Sequence, residues 1–168
     1  MENIQENIRA NIDKTAEKLV NMLMEKKLYI STAESCTGGM IASSIVDIPN
    51  ASNCFNEGIV TYSNAAKMKY LGVSNITLST YGAVSAQTVR EMAMGIIKAS
   101  GSDISLVTSG IAGPGGGTKE KPVGLVYMAC AFKDKIFVSN HVFDGDRTIV
   151  RLKATNEALN MAINMLDM

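Results

Sequence analysis

Apolar residues recur at helical spacing at Ile4, Ile8, Ile12, Ala16, Leu19 and Leu23 among charged neighbours, which predicts an amphipathic helix over about residues 3–26. Its apolar stripe needs a second layer to cover it. From Lys27 to Ala33 the pattern loosens toward a strand, Cys36-Thr37-Gly38-Gly39 supplies a turn, and Met40–Val46 resumes a helical pattern. Gly58–Tyr62 is again β-rich, and Ser63 or Asn64 caps a short helix that runs through Tyr70 and stops near Gly72. Val89, Met92, Ala93, Ile96 and Ile97 mark a helix that Ser85 caps and Gly101 ends, before an apolar strand at Asp103–Thr108. Gly124–Phe132 and Lys135–Phe143 pair as a hairpin across Lys133-Asp134. Ile149, Leu152, Leu159, Ile163 and Leu166 then define a last helix with Asp146 as its cap.

Strands that alternate with helices and end in a hairpin predict an α/β fold: a layered single domain over residues 1–168, with a mixed sheet flanked by helices. A chain of this length buries a core without staples. No internal repeat, low-complexity segment or linker-like shift interrupts it.

Charge and composition narrow the function. Lys and Arg total 16 and so do Asp and Glu, so the basic footprint of a nucleic-acid binder is missing. The longest apolar stretch, around Val123–Phe132, is too short for a bilayer, and the N-terminus is polar rather than signal-like, so a cytoplasmic, membrane-free protein is expected. The three cysteines, Cys36, Cys54 and Cys130, form no CxxC pair, and no disulfide is expected. One histidine, His141, excludes HExxH and any zinc site with two His ligands, and leaves a single candidate for a Ser-His-Asp base. That scarcity turns attention to lysine, and no metal site is expected.

Three segments carry candidate chemistry. Thr32-Ala33-Glu34-Ser35-Cys36-Thr37-Gly38-Gly39 places a hydroxyl and a thiol between a strand end and a helix start. Free backbone N–H groups there favour a phosphate or an oxyanion, although Ser and Thr at such a place also serve as ordinary helix caps. Cys36 is a competing nucleophile, since a thiol near a helix N-terminus can have a depressed pKa. Gly110-Ile111-Ala112-Gly113-Pro114-Gly115-Gly116-Gly117-Thr118 is a glycine-rich loop after a strand, either a ligand loop or a flexible surface connection. It matches neither GxxxxGK[ST] nor GxGxxG. In Thr61-Tyr62-Ser63-Asn64-Ala65-Ala66-Lys67, a cap at Ser63 puts Lys67 in the first helical turn, where the macrodipole disfavours a cation. Taken singly, such a lysine is an ordinary solvated charge, and only a pairing with Ser35 gives it a role.

Taken together, Ala33–Gly39, Gly58–Asn64 with Lys67, and Ser109–Pro114 resemble the C-terminal domain of the competence/damage-inducible CinA family. Lys121-Pro122-Val123-Gly124 and Gly145-Asp146-Arg147 extend the resemblance to the end of the chain. It implies an α/β amidohydrolase that converts nicotinamide mononucleotide to the nicotinate nucleotide and ammonia, with no metal or organic cofactor. The family's serine maps onto Ser35, its lysine onto Lys67 and its tyrosine onto Tyr62. Longer members carry a pyrophosphatase-like domain; this sequence shows none, and that second activity is not carried over.

The expected chemistry is an acyl-enzyme route in which neutral Lys67, directly or through Tyr62, takes the Ser35 proton. Thr37, Gly38 and Gly39 are expected to supply oxyanion N–H groups, and Gly113, Gly115, Gly116, Gly117 and Arg147 to hold the phosphate. The competing expectation is a catalytically silent nucleotide-binding or regulatory module. Either way the expected partner is a small-molecule nucleotide, and the N-terminal helix is compatible with self-association into a homo-oligomer.

Overall fold

The computed structural model describes residues 2–168. The helix α1 spans Glu2–Lys26, and β1 (Ile30–Glu34) leads through a tight turn into α2 (Met40–Val46). A single 3₁₀ turn at Ala51–Asn53 precedes β2 (Phe55–Val60), which is followed by three helices: α3 (Asn64–Leu71), α4 (Asn75–Tyr81) and α5 (Ala86–Ser100). The chain closes with β3 (Ile104–Gly110), β4 (Leu125–Phe132), β5 (Lys135–Val142) and α6 (Arg147–Leu166).

The five strands form one mixed sheet in the order β2-β1-β3-β4-β5. β1 runs parallel to both β2 and β3, while β4 is antiparallel to both of its neighbours, β3 and β5. β1 is buried along its whole length, as expected of a parallel strand covered on both faces. One face carries the core of Ile30, Leu106, Met128, Leu152 and Leu159, to which the stripe of α1 adds Leu19 and Leu23. The other holds Val107 and Ala129 of the sheet against Val89, Met92 and Ile96 of α5. α1 packs on α6 and α2, so its stripe has found the layer it required.

The helix starts follow the capping chemistry read from the sequence. Ser63, Ser85 and Asp146 each accept the backbone N–H three residues on, and Gly72 and Gly101 end their helices in the left-handed conformation. Strand limits differ from the sequence reading. β1 begins at Ile30 because Lys27 takes a positive φ of 55° and closes α1. β2 starts three residues before Gly58, at Phe55, and ends at Val60.

The helix α4 was not expected from its sequence, which holds β-branched Ile76, Thr77 and Thr80. Tertiary contacts decide it: Ser74 caps the helix, and Glu91 of α5 accepts both the Ser74 N–H at 2.7 Å and the Thr77 hydroxyl.

The topology also sets the site. From β1 the chain moves outward to β2, then crosses back to β3 on the other side of β1, so the strand order reverses at the carboxyl ends of β1 and β3. Open α/β sheets bind ligands at such a switch point.

Candidate active site

Ser35 directly follows β1 at this crevice and is mostly buried. Its N–H donates to the Thr108 carbonyl of β3 at 3.1 Å, and the Thr37 and Thr108 hydroxyls pair at 2.7 Å. The turn is therefore fastened to the neighbouring strand. Glu34, buried at the end of β1, aims its carboxylate at the start of α2 and accepts the N–H groups of Gly39 (2.9 Å), Ile41 (3.1 Å) and Ala42 (2.9 Å). It satisfies donors that a helix N-terminus otherwise leaves free.

That arrangement changes how the turn can hold an anion. The Gly39 N–H is taken by Glu34, and the Gly38 N–H donates to the Ser35 carbonyl at 3.1 Å. Among the described residues, the N–H groups of Cys36 and Thr37 have no oxygen acceptor. Gly38 and Gly39 serve the turn itself, with φ of 63° and 91°, conformations that a side chain would strain.

Lys67 is only 1% exposed, the reverse of a solvated surface charge. Its Nζ lies 3.2 Å from Ser35 Oγ and donates to the Thr61 carbonyl at 2.8 Å. Burial lowers its pKa from the usual 10.5, opposed by a weaker interaction with Cys36. Among the described residues no carboxylate pairs with it, and the lowered pKa brings the neutral amine, the form that can receive the Ser35 proton across the contact, nearer to reach. Lys67 N–H donates to Ser63 O, which places the residue in the first turn of α3 as the cap predicted.

A cavity of about 210 Å³ opens over the pair, walled by Ser35, Cys36, Tyr62, Lys67, Ser109 and Arg147, with Ala83, Val84, Gly110 and Ala112 completing it. Tyr62 is 63% exposed at the rim. Its hydroxyl accepts from Arg147 Nη2 at 3.2 Å, and Lys67 meets Ser35 without an intermediary. Arg147 Nη1 donates to the Gly113 carbonyl at 2.7 Å, so this arginine joins the glycine loop to Tyr62. Gly115, Gly116 and Gly117 do not line the cavity. A Cβ on Gly117 would meet the Val123 backbone N at 2.7 Å, so this glycine permits a close approach of two chain segments.

Cys36 lines the same cavity, but burial pushes its thiol up to about 11, and the nearby N–H groups of Cys36 and Thr37 offset this only in part. It holds its proton near neutrality and is a poor nucleophile there. His141 sits on β5, stacked on Phe143 and 3.7 Å from Glu157, with β3 and β4 between it and the serine strand. It is no base for Ser35.

Three residues of the site carried no role in the sequence reading. Glu34 was visible only as part of a motif; a buried acid at a strand end beside a helix start is the signal for such an anchor. Ser109, whose hydroxyl donates to Ala83 O at 2.8 Å, fixes the far wall. Arg151, one helical turn beyond Arg147, donates from Nε to the Cys36 carbonyl at 3.0 Å and from Nη2 to the Thr37 carbonyl at 2.8 Å.

Known proteins share this arrangement of elements. A crystal structure of the competence/damage inducible protein CihA from Agrobacterium tumefaciens superposes with a TM-score of 0.90 at 40% identity, covering 94% of this chain and 96% of that one. A CinA superfamily protein from Escherichia coli gives a TM-score of 0.89 at 34% identity over 92% of this chain and 90% of its own. A putative competence-damage inducible protein of Clostridium beijerinckii is 53% identical over 162 residues, which are 96% of this chain and 40% of that protein. Its counterpart in Clostridioides difficile is 54% identical over 139 residues, 83% of this chain and 33% of that protein. The chain thus spans two fifths or less of the length of these curated relatives. The model of the CinA C-terminal domain matches residues 12–166, and the chain belongs to the CinA family.

Proposed function

We propose that the protein is an amidohydrolase that cleaves the carboxamide of nicotinamide mononucleotide through Ser35, with Lys67 as its base. The observation that carries this reading is the buried Lys67 Nζ 3.2 Å from Ser35 Oγ. An amine held there without a carboxylate partner among the described residues supports proton transfer, and the adjacent N–H groups support an anion on the attacked carbonyl.

In this reading Ser35 Oγ attacks the carboxamide carbon as its proton passes to Lys67 Nζ. The carbonyl oxygen, now negative, faces the free N–H groups of Cys36 and Thr37. The C–N bond breaks as the Lys67 ammonium returns a proton to the leaving nitrogen, and ammonia departs. Water then attacks the acyl ester, again giving a proton to Lys67, and the ester C–O bond breaks as Lys67 returns that proton to Ser35 Oγ, releasing the acid and restoring the serine hydroxyl and the neutral amine. The Thr61 carbonyl, which accepts from Nζ, holds the amine on line throughout.

The cavity, about 210 Å³, lies below the roughly 300–1,000 Å³ of pockets that enclose a whole drug-sized ligand. It suits a flat pyridine carboxamide, with ribose and phosphate projecting past Tyr62 to Arg147. Arg147 is the cation for the phosphate, its fork suited to two oxygens. Gly113 belongs to this end through its carbonyl, while Gly115, Gly116 and Gly117 shape the loop.

The decisive experiment is release of ammonia from nicotinamide mononucleotide by the purified protein, with the acid nucleotide formed in equal amount. Binding of the nucleotide without ammonia would instead identify a silent nucleotide-binding module.

A further inference from the structure

Arg151 does not line the cavity, yet it holds the turn that carries the nucleophile. Its two donors take the carbonyls of two consecutive residues, Cys36 and Thr37. The planar guanidinium fork makes both bonds in one pre-organised geometry. The Cys36 carbonyl and the Thr37 N–H belong to one trans peptide plane, so they point in opposite directions. With the carbonyl pinned toward α6, the N–H is aimed away from α6. The Thr37 N–H has no oxygen acceptor among the described residues, and the neighbouring Cys36 side chain walls the cavity.

The other donors of the turn are committed: the Gly38 N–H to Ser35 O, and those of Gly39, Ile41 and Ala42 to Glu34. A cation on the carbonyl also polarises the peptide and strengthens its N–H as a donor. The fit is close, since a Cβ on Gly38 would stand 3.2 Å from Arg151 Nη2.

We propose that Arg151 is a positioning residue that orients and polarises the Thr37 N–H as the oxyanion donor for chemistry at Ser35. The inference rests on the reading of Ser35 as the nucleophile.

The test uses the full chain with Arg151→Met and Arg151→Lys. Two reactions are followed: ammonia release from nicotinamide mononucleotide, and covalent labelling of Ser35 by a fluorophosphonate. In the labelling, the Oγ–P bond forms, fluoride leaves, the serine proton passes to Lys67, and the phosphoryl oxygen takes the oxyanion position.

Removing an oxyanion donor costs about 10²–10³ in kcat, and misaiming one should cost roughly 10–100-fold. Arg151→Met should therefore lose that much kcat with KM within about twofold, label Ser35 at least tenfold more slowly, and keep the wild-type pH midpoint. Guanidinium added well below denaturing concentrations should restore part of the rate, and Arg151→Lys, which reaches one carbonyl, should fall between. Should Arg151→Met fail to fold, Arg151→Lys carries the same test.

Unchanged kcat overturns the proposal. So does a loss of kcat that follows the loss of thermal stability, moves KM equally and resists guanidinium. If wild type labels at Ser35 but leaves the nucleotide intact, the amidase reading fails, and the labelling rates alone decide the role of Arg151. If wild type neither labels nor turns over, both fall.

Discussion

The Glu34 carboxylate accepts the Gly39 N–H at 2.9 Å, five residues along the chain, and with Ile41 and Ala42 it occupies the N-terminus of α2. A place that elsewhere receives a ligand phosphate is here filled by the protein's own acid. Glu34→Gln replaces one acceptor oxygen by an amide that cannot accept from these donors. The loss of a hydrogen bond to a charged group costs about 1.5–3 kcal/mol. In a domain of this size that lowers Tm by roughly 3–12 °C. A thermal melt checks it, and an unchanged Tm would show that the helix start does not depend on the carboxylate.

Ser35→Ala should abolish ammonia release, by several powers of ten as in other activated-serine enzymes, while the nucleotide still binds. Cys36→Ala should keep most of the activity, because the thiol holds its proton up to about 11. Parallel rate and binding measurements decide the matter; the opposite pattern would make Cys36 the nucleophile.

Lys67→Arg and Lys67→Met should be almost equally inactive, because a guanidinium cannot give up its proton in a useful range. The kcat/KM profile of wild type should rise with pH toward a plateau, its midpoint below the usual lysine value of 10.5. Substantial activity in Lys67→Arg would mean that the residue acts as a fixed charge rather than as a base.

The same lysine should leave a mark on stability. Below its lowered pKa both folded and unfolded chains carry the proton, and the fold bears the full cost of a buried cation. Between that value and 10.5 only the unfolded chain binds it, so stability rises with pH across this window. Lys67→Met should therefore melt above wild type near neutrality, with the difference shrinking as pH approaches 10.5. Melts at several pH values test this, and a pH-independent difference would contradict it.

If Arg147 holds the phosphate, the riboside lacking it should be a poorer substrate. A charge-assisted hydrogen bond contributes roughly 1.5–3 kcal/mol, or about one to two powers of ten. Arg147→Met should erase the preference between the two compounds, which a comparison of kcat/KM values measures. Equal efficiency of wild type on both would remove the phosphate from this end of the cavity.

Local chemistry made much of this fold legible. The apolar period of α1, the caps Ser63, Ser85 and Asp146, and the stop at Gly101 are read within a few residues of where they act. What escaped depends on partners distant in sequence. Arg151 meets Cys36 across 115 positions, and α4 is held by Glu91 of the following helix. The glycine loop has a related limit: its composition reads as a ligand loop or a flexible connection, whereas the need for glycine at 117 comes from the Val123 backbone packed against it. The burial of Lys67 likewise lies outside local reading, since a lysine in the first turn of an isolated helix would be wet.

Ser35 hangs from the sheet, Lys67 arrives on α3 from one layer, and Arg147 and Arg151 arrive on α6 from the other. Turnover by the proposed reaction would therefore sample the registry of these two layers. Mild denaturant that lets either layer slip should extinguish catalysis while the helical signal is still intact, so activity serves as a finer gauge of this molecule's integrity than its spectrum.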